Sequence, residues 1–324
     1  AVSGSSVAAA AAMGNVALPE MRRFGYAPKL ACGVVAAGGT LSFLIPPSLG
    51  FVVFGMLTEQ SIGKLLISGI LPGIALSIAY ITVVLVLVKT DPSLAPRTPG
   101  KVTFKEKLIA LKGVWETLLV FFIVMGGIYL GFINPTEAGA IGATALFIIV
   151  LIKRKLSWKN LFVSLLEMAR ISVMVLFLVS GATLFSYFLA LSTIPTIVSG
   201  WIAGLGVSKY IILTIIIAIY FLLGCFLDSV SMMVLTLPVI YPVIVAIGFN
   251  PIWFGVVAVL MMEAGLITPP VGLNVYTIAG IAKDVQMAEI FKGAIPFLLS
   301  IIATAIILTI FPQIALYLPS LMGK

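Results

Sequence analysis

Residues 263–274 read Glu263-Ala264-Gly265-Leu266-Ile267-Thr268-Pro269-Pro270-Val271-Gly272-Leu273-Asn274. Two consecutive prolines interrupt a helix, because each lacks the N–H that would bond the carbonyl four residues back. Pro269 and Pro270 thereby free the carbonyls of Gly265 and Leu266. The same pattern stands at Pro46-Pro47, which free those of Ser42 and Phe43, and the two pairs lie 223 positions apart. At that shift Ser6 meets Ser229, Pro19 meets Pro242, Gly25 meets Gly248 and Pro28 meets Pro251. One position further on, Gly69 meets Gly293 and Pro72 meets Pro296. Chance matches in an apolar chain favour Ala, Ile and Leu, whereas these fall on the residues that set backbone geometry. The chain contains an internal repeat of the kind found in secondary transporters.

The composition says where such a repeat resides. Of 324 residues, 61% are hydrophobic and 9% charged, with no histidine, against about a quarter charged in soluble domains. A soluble globular fold is excluded. Apolar runs such as Leu66–Val88, Leu118–Ile133 with its flanks, Ile171–Leu191 and Phe297–Phe311 suit helices crossing a hydrocarbon core about 30 Å thick. The chain is predicted to be an all-α polytopic membrane protein.

The net charge of +8 gathers in short loops, with six basic residues from Lys89 to Lys112 and four from Lys153 to Lys159. This is the positive-inside pattern of cytoplasmic loops rather than a nucleic-acid site. Cys32 and Cys225 lie in apolar surroundings without a CxxC or Cys/His cluster, so neither a disulfide framework nor a thiolate metal site is expected.

The loop charges also orient the repeats. The turn after the first arm carries Arg22, Arg23 and Lys29, while its Gly248–Pro251 counterpart carries no Lys or Arg. Equivalent loops then lie on opposite faces of the membrane. The spans are expected at 30–56, 65–88, 115–133, 140–152 and 168–191, followed by a hairpin over 213–247, then 252–281 and 297–311. On that path every strongly basic loop falls on one side, so the repeats are inverted.

Each repeat holds two interruptions at membrane depth. One is a re-entrant hairpin with a polar tip, Ser3-Gly4-Ser5-Ser6 or Asp228-Ser229-Val230-Ser231, followed by an arm expected to end at Pro19-Glu20 or Pro242. Backbone exposed at such a tip must be buried in protein or line a cavity. The N-terminal end of each arm presents N–H groups and partial positive charge, which suits an anion. The other interruption is the double proline, which Gly38-Gly39 and Gly265 would let unwind further. Freed carbonyls with the hydroxyls of Ser3, Ser5, Thr40, Ser42, Ser229 and Thr268 make a hard oxygen set suited to Na⁺ rather than a transition metal. The Ser/Gly/Ala stretch after the first tip, Ala8–Ala12, reads equally as close helix packing.

Ionisable residues at depth are few. Asp228 lies in the second tip, and Glu263 occupies the position equivalent to Thr40. Each has three open roles: binding a cation, carrying a proton, or pairing structurally. Asn274 either reaches the cavity or serves packing. Glu137, after Asn134-Pro135-Thr136, reads as a helix N-terminal carboxylate with Asn134 or Thr136 as cap. Catalytic constellations are absent: no histidine, no GxxxxGK[ST] frame, no paired intramembrane carboxylates. No enzyme activity is expected, and an ion gradient is the economical energy source.

These same residues carry a resemblance. The runs Ser3–Ser6 to Pro19-Glu20-Met21, Val35–Thr40, Ile45-Pro46-Pro47-Ser48 and Leu57–Gly63 resemble the large membrane (M) subunit of tripartite ATP-independent periplasmic (TRAP) transporters. So do Asn134–Gly139, Asp228-Ser229 and Glu263–Asn274. The similarity covers essentially the whole chain and implies an ion-transporter-superfamily fold with an elevator-like transport domain. It implies Na⁺-coupled uptake of an organic acid, of the sialic acid or C4-dicarboxylate type, across the bacterial inner membrane. The implied partners are a small membrane (Q) subunit and a periplasmic substrate-binding (P) protein. One Na⁺ is implied at Ser3, Ser5, Ser42, Ile45 and Pro47, and a second at Phe226, Asp228, Gly265, Thr268 and Pro270. The substrate carboxylate is implied near Ser5, Ser6, Ser229 and Asn274.

On this reading residues 1–64 and 208–285 form the transport domain, while 65–112, 113–207 and 286–324 supply scaffold helices and a basic linker. The second copy has about 115 residues between the linker and its tip and the first almost none, so roughly 100 residues are expected to precede Ala1. The alternatives are a stand-alone Na⁺/dicarboxylate symporter of the same superfamily, a channel, or, most weakly, an intramembrane enzyme.

Overall fold

A computed structural model describes residues 4–96, 115–204 and 206–322. Every regular element among them is helical. In chain order these are α1 (Ser6–Arg23), α2 (Pro28–Leu44), α3 (Leu49–Thr58), α4 (Ile62–Ser68) and α5 (Ile70–Thr90). A 3₁₀ turn at Pro92–Leu94 precedes α6 (Trp115–Tyr129), α7 (Pro135–Ile152), α8 (Trp158–Ser192) and α9 (Ile194–Gly204). The last six are α10 (Lys209–Gly224), α11 (Ser229–Ala246), α12 (Pro251–Gly265), α13 (Leu273–Ile281), α14 (Met287–Ile310) and α15 (Gln313–Leu321). Among the described residues, five helical segments are long and apolar enough to span a bilayer, with α4 and α5 taken together; α2 and α3, bent by 41° at their break, make a sixth if joined.

The chain divides into two compact units, residues 1–96 with 178–320, and residues 97–177 with 321–324. In the second, α6 packs on α7, and Lys153 at the end of α7 pairs with Glu116 in the first turn of α6. Asn134 caps α7: its Oδ1 accepts from the Glu137 N–H at 2.9 Å while the Glu137 carboxylate accepts from the Asn134 N–H at 3.0 Å. This reciprocal box, with Pro135 at the first helical position, makes Asn134 the cap, one of the two residues the sequence offered beside the Glu137 carboxylate. The linker's basic residues from Arg97 to Lys112 lie outside the described residues.

The first unit is built around α12, which is buried from Trp253 through Gly265. A helix apolar on all sides needs a complete shell of neighbours, and α10, α11, α14, α2 and α4 supply it. Aromatic rings from both repeats meet there: Phe254 lies 6.3 Å from Phe54 and 6.0 Å from Tyr220. The Trp253 indole donates to the Leu308 carbonyl at 2.7 Å. On α5 the opposite situation holds, since Ile74, Ile78, Ile81 and Leu85 form one helical stripe, each at least half exposed. An apolar stripe of this kind is suited to lipid.

Several boundaries differ from the sequence expectation. Both arms run past their prolines, α1 through Pro19 to Arg23 and α11 through Pro238 and Pro242 to Ala246. α8 and α14 begin about ten residues earlier than their apolar runs, and α9 and α15 were not anticipated. Amphipathic first turns and short helices weaken the apolar-run signal on which those expectations rested.

Candidate transport site

Two helix starts define the site. Ser5 caps α1, its hydroxyl accepting from the Ala8 N–H at 3.4 Å, and Asp228 caps α11, its carboxylate accepting from Val230 N–H at 3.1 Å and Ser231 N–H at 3.0 Å. Ser5 and Asp228 are equivalent positions of the repeat, as are the first helical residues Ser6 and Ser229, both buried. The N-terminus of α11 is thus met by the chain's own carboxylate, whereas α1 is capped by a neutral hydroxyl. Of the two positive helix ends, that of α1 keeps its charge uncompensated by its cap.

Each helix start is tied to its own double-proline segment. The Leu49 N–H donates to the Gly4 carbonyl at 3.2 Å, and the Val271 N–H to the Cys225 carbonyl at 3.3 Å. Gly4 has φ +65°, and a Cβ there would lie 3.0 Å from the Pro47 carbonyl oxygen, so the turn preceding α1 sits directly on the break. α2 ends at Leu44 with Ile45 extended, and Ser48 caps α3 while donating its hydroxyl proton to the Phe43 carbonyl. In the second repeat the Gly265 carbonyl accepts from Thr268 N–H and the Leu266 carbonyl from Asn274 N–H, each at 3.0 Å. The freed carbonyls of Phe43, Gly265 and Leu266 therefore have one partner each and one remaining lone pair.

The glycines before the prolines do not unwind the chain, contrary to expectation. Gly38 and Gly39 lie inside α2, and Gly265 closes α12. Gly39 and Gly265 instead permit close approach. A Cβ at Gly39 would stand 2.8 Å from the Ser6 carbonyl oxygen, and one at Gly265 would stand 2.7 Å from the Cys225 nitrogen.

Between the helix starts lies a buried polar cluster. The Ser229 hydroxyl donates to Glu263 Oε1 at 3.2 Å. Asn274 Nδ2 donates to the Ser6 hydroxyl at 2.8 Å and to the Ala36 carbonyl at 3.2 Å. The Ser6 hydroxyl also faces the Glu263 carboxyl. Glu263 and Asn274 are 1% and 0% exposed, so this region of the second repeat supplies the buried side chain that holds each repeat's first helical serine. Thr40, the counterpart of Glu263, turns elsewhere, donating to or accepting from the Tyr80 hydroxyl at 2.9 Å and bonding the Ala37 carbonyl at 2.6 Å. Tyr80 and the Ala36 carbonyl were not singled out by the sequence, since Tyr80 sits unmarked within the apolar run 66–88.

The sequence-derived substrate set thus divides: Ser6, Ser229 and Asn274 come together in this cluster, and Ser5 is half-buried at the cap of α1. Of the residues assigned to Na⁺, Ser42 and Gly265 are buried, Ile45 and Thr268 half-buried, and Pro47, Phe226, Asp228 and Pro270 exposed. Thr268 donates its hydroxyl to the Ala264 carbonyl at 2.7 Å. Ser3 lies outside the described residues. The donors are carbonyl, hydroxyl and carboxyl oxygens, and among the described residues no group of three or more His, Cys, Asp or Glu could hold a metal ion. That chemistry fits an alkali cation and not a transition metal.

Helices interrupted around buried polar groups, in a chain of bilayer-spanning apolar helices, define a membrane transport protein. The comparisons give its family. The chain matches the family model of the tripartite ATP-independent periplasmic transporter DctM component over residues 1–314. It is 34% identical over 325 residues to the C4-dicarboxylate TRAP transporter large permease protein DctM of Pseudomonas aeruginosa, covering 100% of this chain and 75% of that one. The isethionate TRAP transporter permease protein DctMQ of Oleidesulfovibrio alaskensis is 33% identical over 98% of this chain and 50% of its own length. The sialic acid TRAP transporter permease protein SiaT of Haemophilus influenzae is 31% identical over 99% of this chain and 52% of its own. The chain belongs to the TRAP transporter large permease family, and is a multi-pass inner-membrane transporter component rather than an enzyme.

Proposed function

We propose that this chain is the large subunit of a Na⁺-coupled TRAP transporter that takes up an organic acid delivered by a periplasmic substrate-binding protein, working with a small membrane subunit. The observation that carries this reading is the joining of the two repeat-equivalent serines, Ser6 and Ser229, through Asn274 and Glu263 in one buried cluster. Two hairpin tips entering from opposite faces would meet in this way, and inverted repeats place transporter substrate and ion sites at such a meeting point. On this reading the stretches before α1 and α11 are the re-entrant tips, α2–α3 and α12–α13 are the broken helices, and the unit moves as an elevator.

The substrate carboxylate is assigned to the α1 end, near Ser5 and Ser6, because the α11 end already holds Asp228. Bound Na⁺ would supply positive charge beside that carboxylate and link uptake to the sodium gradient. Residues Ser3, Ser5, Ser42, Ile45 and Pro47 would hold one ion, and Phe226, Asp228, Gly265, Thr268 and Pro270 another. The protein's part is to present fixed oxygens there and to exclude lipid from them. The relatives named above are called transporters of C4-dicarboxylate, isethionate and sialic acid, so a small organic anion is the substrate class, with sialic acid and C4-dicarboxylates the leading members.

Uptake into proteoliposomes containing the full-length large subunit with its small subunit tests the reading. An organic-acid panel is supplied with and without an inward Na⁺ gradient and a cognate binding protein. Uptake requiring both is expected. Uptake needing Na⁺ alone would indicate a stand-alone symporter, and flux without saturation would indicate a channel.

A further inference from the structure

Each arm lies against the second half of the other repeat's broken helix, α1 on α13 and α11 on α3. Arg22, Arg23 and Lys29 mark the face reached by the end of α1 as the inner one. α1 and α13 therefore run from the polar cluster to the inner face, and α11 and α3 run from the same depth to the outer face. Two seams, equivalent under the repeat, lead to the buried serines, and they are closed by different means.

The inner seam is tied along its length. At its deep end Asn274 donates to Ser6 at 2.8 Å. Midway, a Cβ on Gly14 would lie 2.8 Å from Ile281 Cδ1, so the two helices touch there. At its mouth Arg22 pairs with Asp284 at 2.6 Å. None of these ties has a counterpart in the outer seam, where the residues equivalent to Asn274, Gly14 and Arg22 are Phe51, Leu237 and Val245. There the tie is at the mouth alone: Gln60 Nε2, just past the end of α3, donates to the Tyr241 hydroxyl of α11 at 2.8 Å, and both residues are half-buried. The Tyr241 ring meets the buried Phe54 of α3 edge-on, with centroids 6.4 Å apart.

The two arms also differ in stiffness. α11 contains Pro238 and Pro242, which leave the carbonyls of Val234 and Pro238 without helical partners. Two successive bonds are thus missing from one line of the helix. α1 contains only Pro19, because Asn15 stands where α11 has Pro238. Prolines of this kind are where helices bend. The inner half of α11 is anchored, Ser229 to Glu263 at 3.2 Å and Thr236 to the Tyr220 hydroxyl at 3.0 Å. Tyr241 lies beyond those anchors, so bending at the prolines would lift the outer half of α11 from Phe54 and leave the inner half in place.

We infer that the seam between α3 and α11 is the gate of the transport site, hinged at Pro238 and Pro242 and latched by Gln60 and Tyr241, while the seam between α1 and α13 stays shut. Gln60 and Tyr241 are positioning residues: they act through α11, setting how often the approach along α3 is open. The inference rests on the transport reading above for what passes the gate, but the motion itself follows from the hinge and the latch.

Distances between spin labels test the motion without relying on uptake. Both native cysteines are buried, so labels can be placed on exposed residues through Met56→Cys with Val245→Cys across the outer seam, and Arg23→Cys with Lys283→Cys across the inner one. In the full-length large subunit with its small subunit in nanodiscs, the outer pair is expected to show a short and a long distance, and the inner pair a single one. Tyr241→Phe keeps the ring but removes the latch, and is expected to raise the ratio of long to short by about two- to tenfold, the net worth of one hydrogen bond. Pro238→Ala restores the bond to Val234 and is expected to lower that ratio. A single outer distance that neither variant changes, or two distances in the inner pair, overturns the gate. Joining the outer cysteines with a bis-maleimide is expected to stop uptake in proteoliposomes and joining the inner ones to leave it running. Uptake that continues through the outer cross-link also overturns the gate. Wild-type protein that takes up no organic acid defeats the transport reading, and the label distances still decide the hinge.

Discussion

Asn274 donates its amide to the Ser6 hydroxyl across 268 positions of sequence, at 2.8 Å and with both residues buried. The bond joins α13 to the first turn of α1. Ser6→Ala removes the acceptor and leaves the Asn274 amide dependent on Ala36 alone. A loss of about 1–3 kcal/mol is expected, seen as a lower melting temperature in detergent. An unchanged melting temperature would show that the two segments are held by the surrounding apolar packing.

The crossing of α2 and α14 depends on two glycines facing each other. A Cβ at Gly33 would lie 2.9 Å from Gly293 Cα, whereas one at Gly38, on the same helix, would meet nothing within 4 Å. Gly33→Ala is therefore expected to destabilise by about 1–3 kcal/mol through overpacking. Gly38→Ala is expected to be neutral or to stabilise by up to about 1 kcal/mol, the helix-propensity difference. Thermal unfolding of the two variants side by side checks the contrast, and equal effects would refute the close crossing.

How far the sequence reveals this arrangement follows from what periodic and repeated residues encode. Pro46-Pro47 and Pro269-Pro270 mark both breaks because missing N–H groups act locally, and Asn134-Pro135-Thr136-Glu137 shows its cap for the same reason. The repeat equates Glu263 with Thr40, but equivalence is not contact. Glu263 meets Ser229 and Ser6 whereas Thr40 meets Tyr80, and only the tertiary packing decides which. Gly39 and Gly265 read as points of unwinding because glycine permits both freedom and proximity, yet α2 runs through Gly39 and α12 stays helical as far as Gly265. Pro19 and Pro242 read as arm ends, yet the arms continue, since each deprives its helix of one hydrogen bond and neighbouring helices hold the remainder.

Outside the membrane-spanning segments, Arg22 at the end of α1 pairs with Asp284 in the turn after α13 at 2.6 Å. The Arg22 hydrogen bond holds the Asp284 carboxyl below the usual carboxylate range. A carboxyl depressed in the folded state adds stability above its unfolded pKa and loses it as pH falls through its folded value. Wild-type protein is therefore expected to exceed Asp284→Asn in melting temperature near neutrality, with the gap closing in acid. The effect should be small and salt-sensitive, because both side chains are solvent-accessible. A gap that persists below the carboxylate range would mean that the contribution is not the charge.

Asp228 raises a question that two substitutions separate. Its carboxylate caps α11 through the Val230 and Ser231 N–H groups, which gives it a structural role independent of any ion. Asn caps as well as Asp, whereas Ala does not, and loss of such a cap costs about 0.5–2 kcal/mol. Asp228→Ala is expected to lower the melting temperature and Asp228→Asn to preserve most of it. If the negative charge also serves Na⁺, Asp228→Asn should still weaken the Na⁺ dependence of uptake while the protein remains as stable as wild type. Na⁺ activation unchanged in Asp228→Asn would confine the residue to capping, and the second ion would then rest on the neutral oxygens of Phe226, Gly265, Thr268 and Pro270.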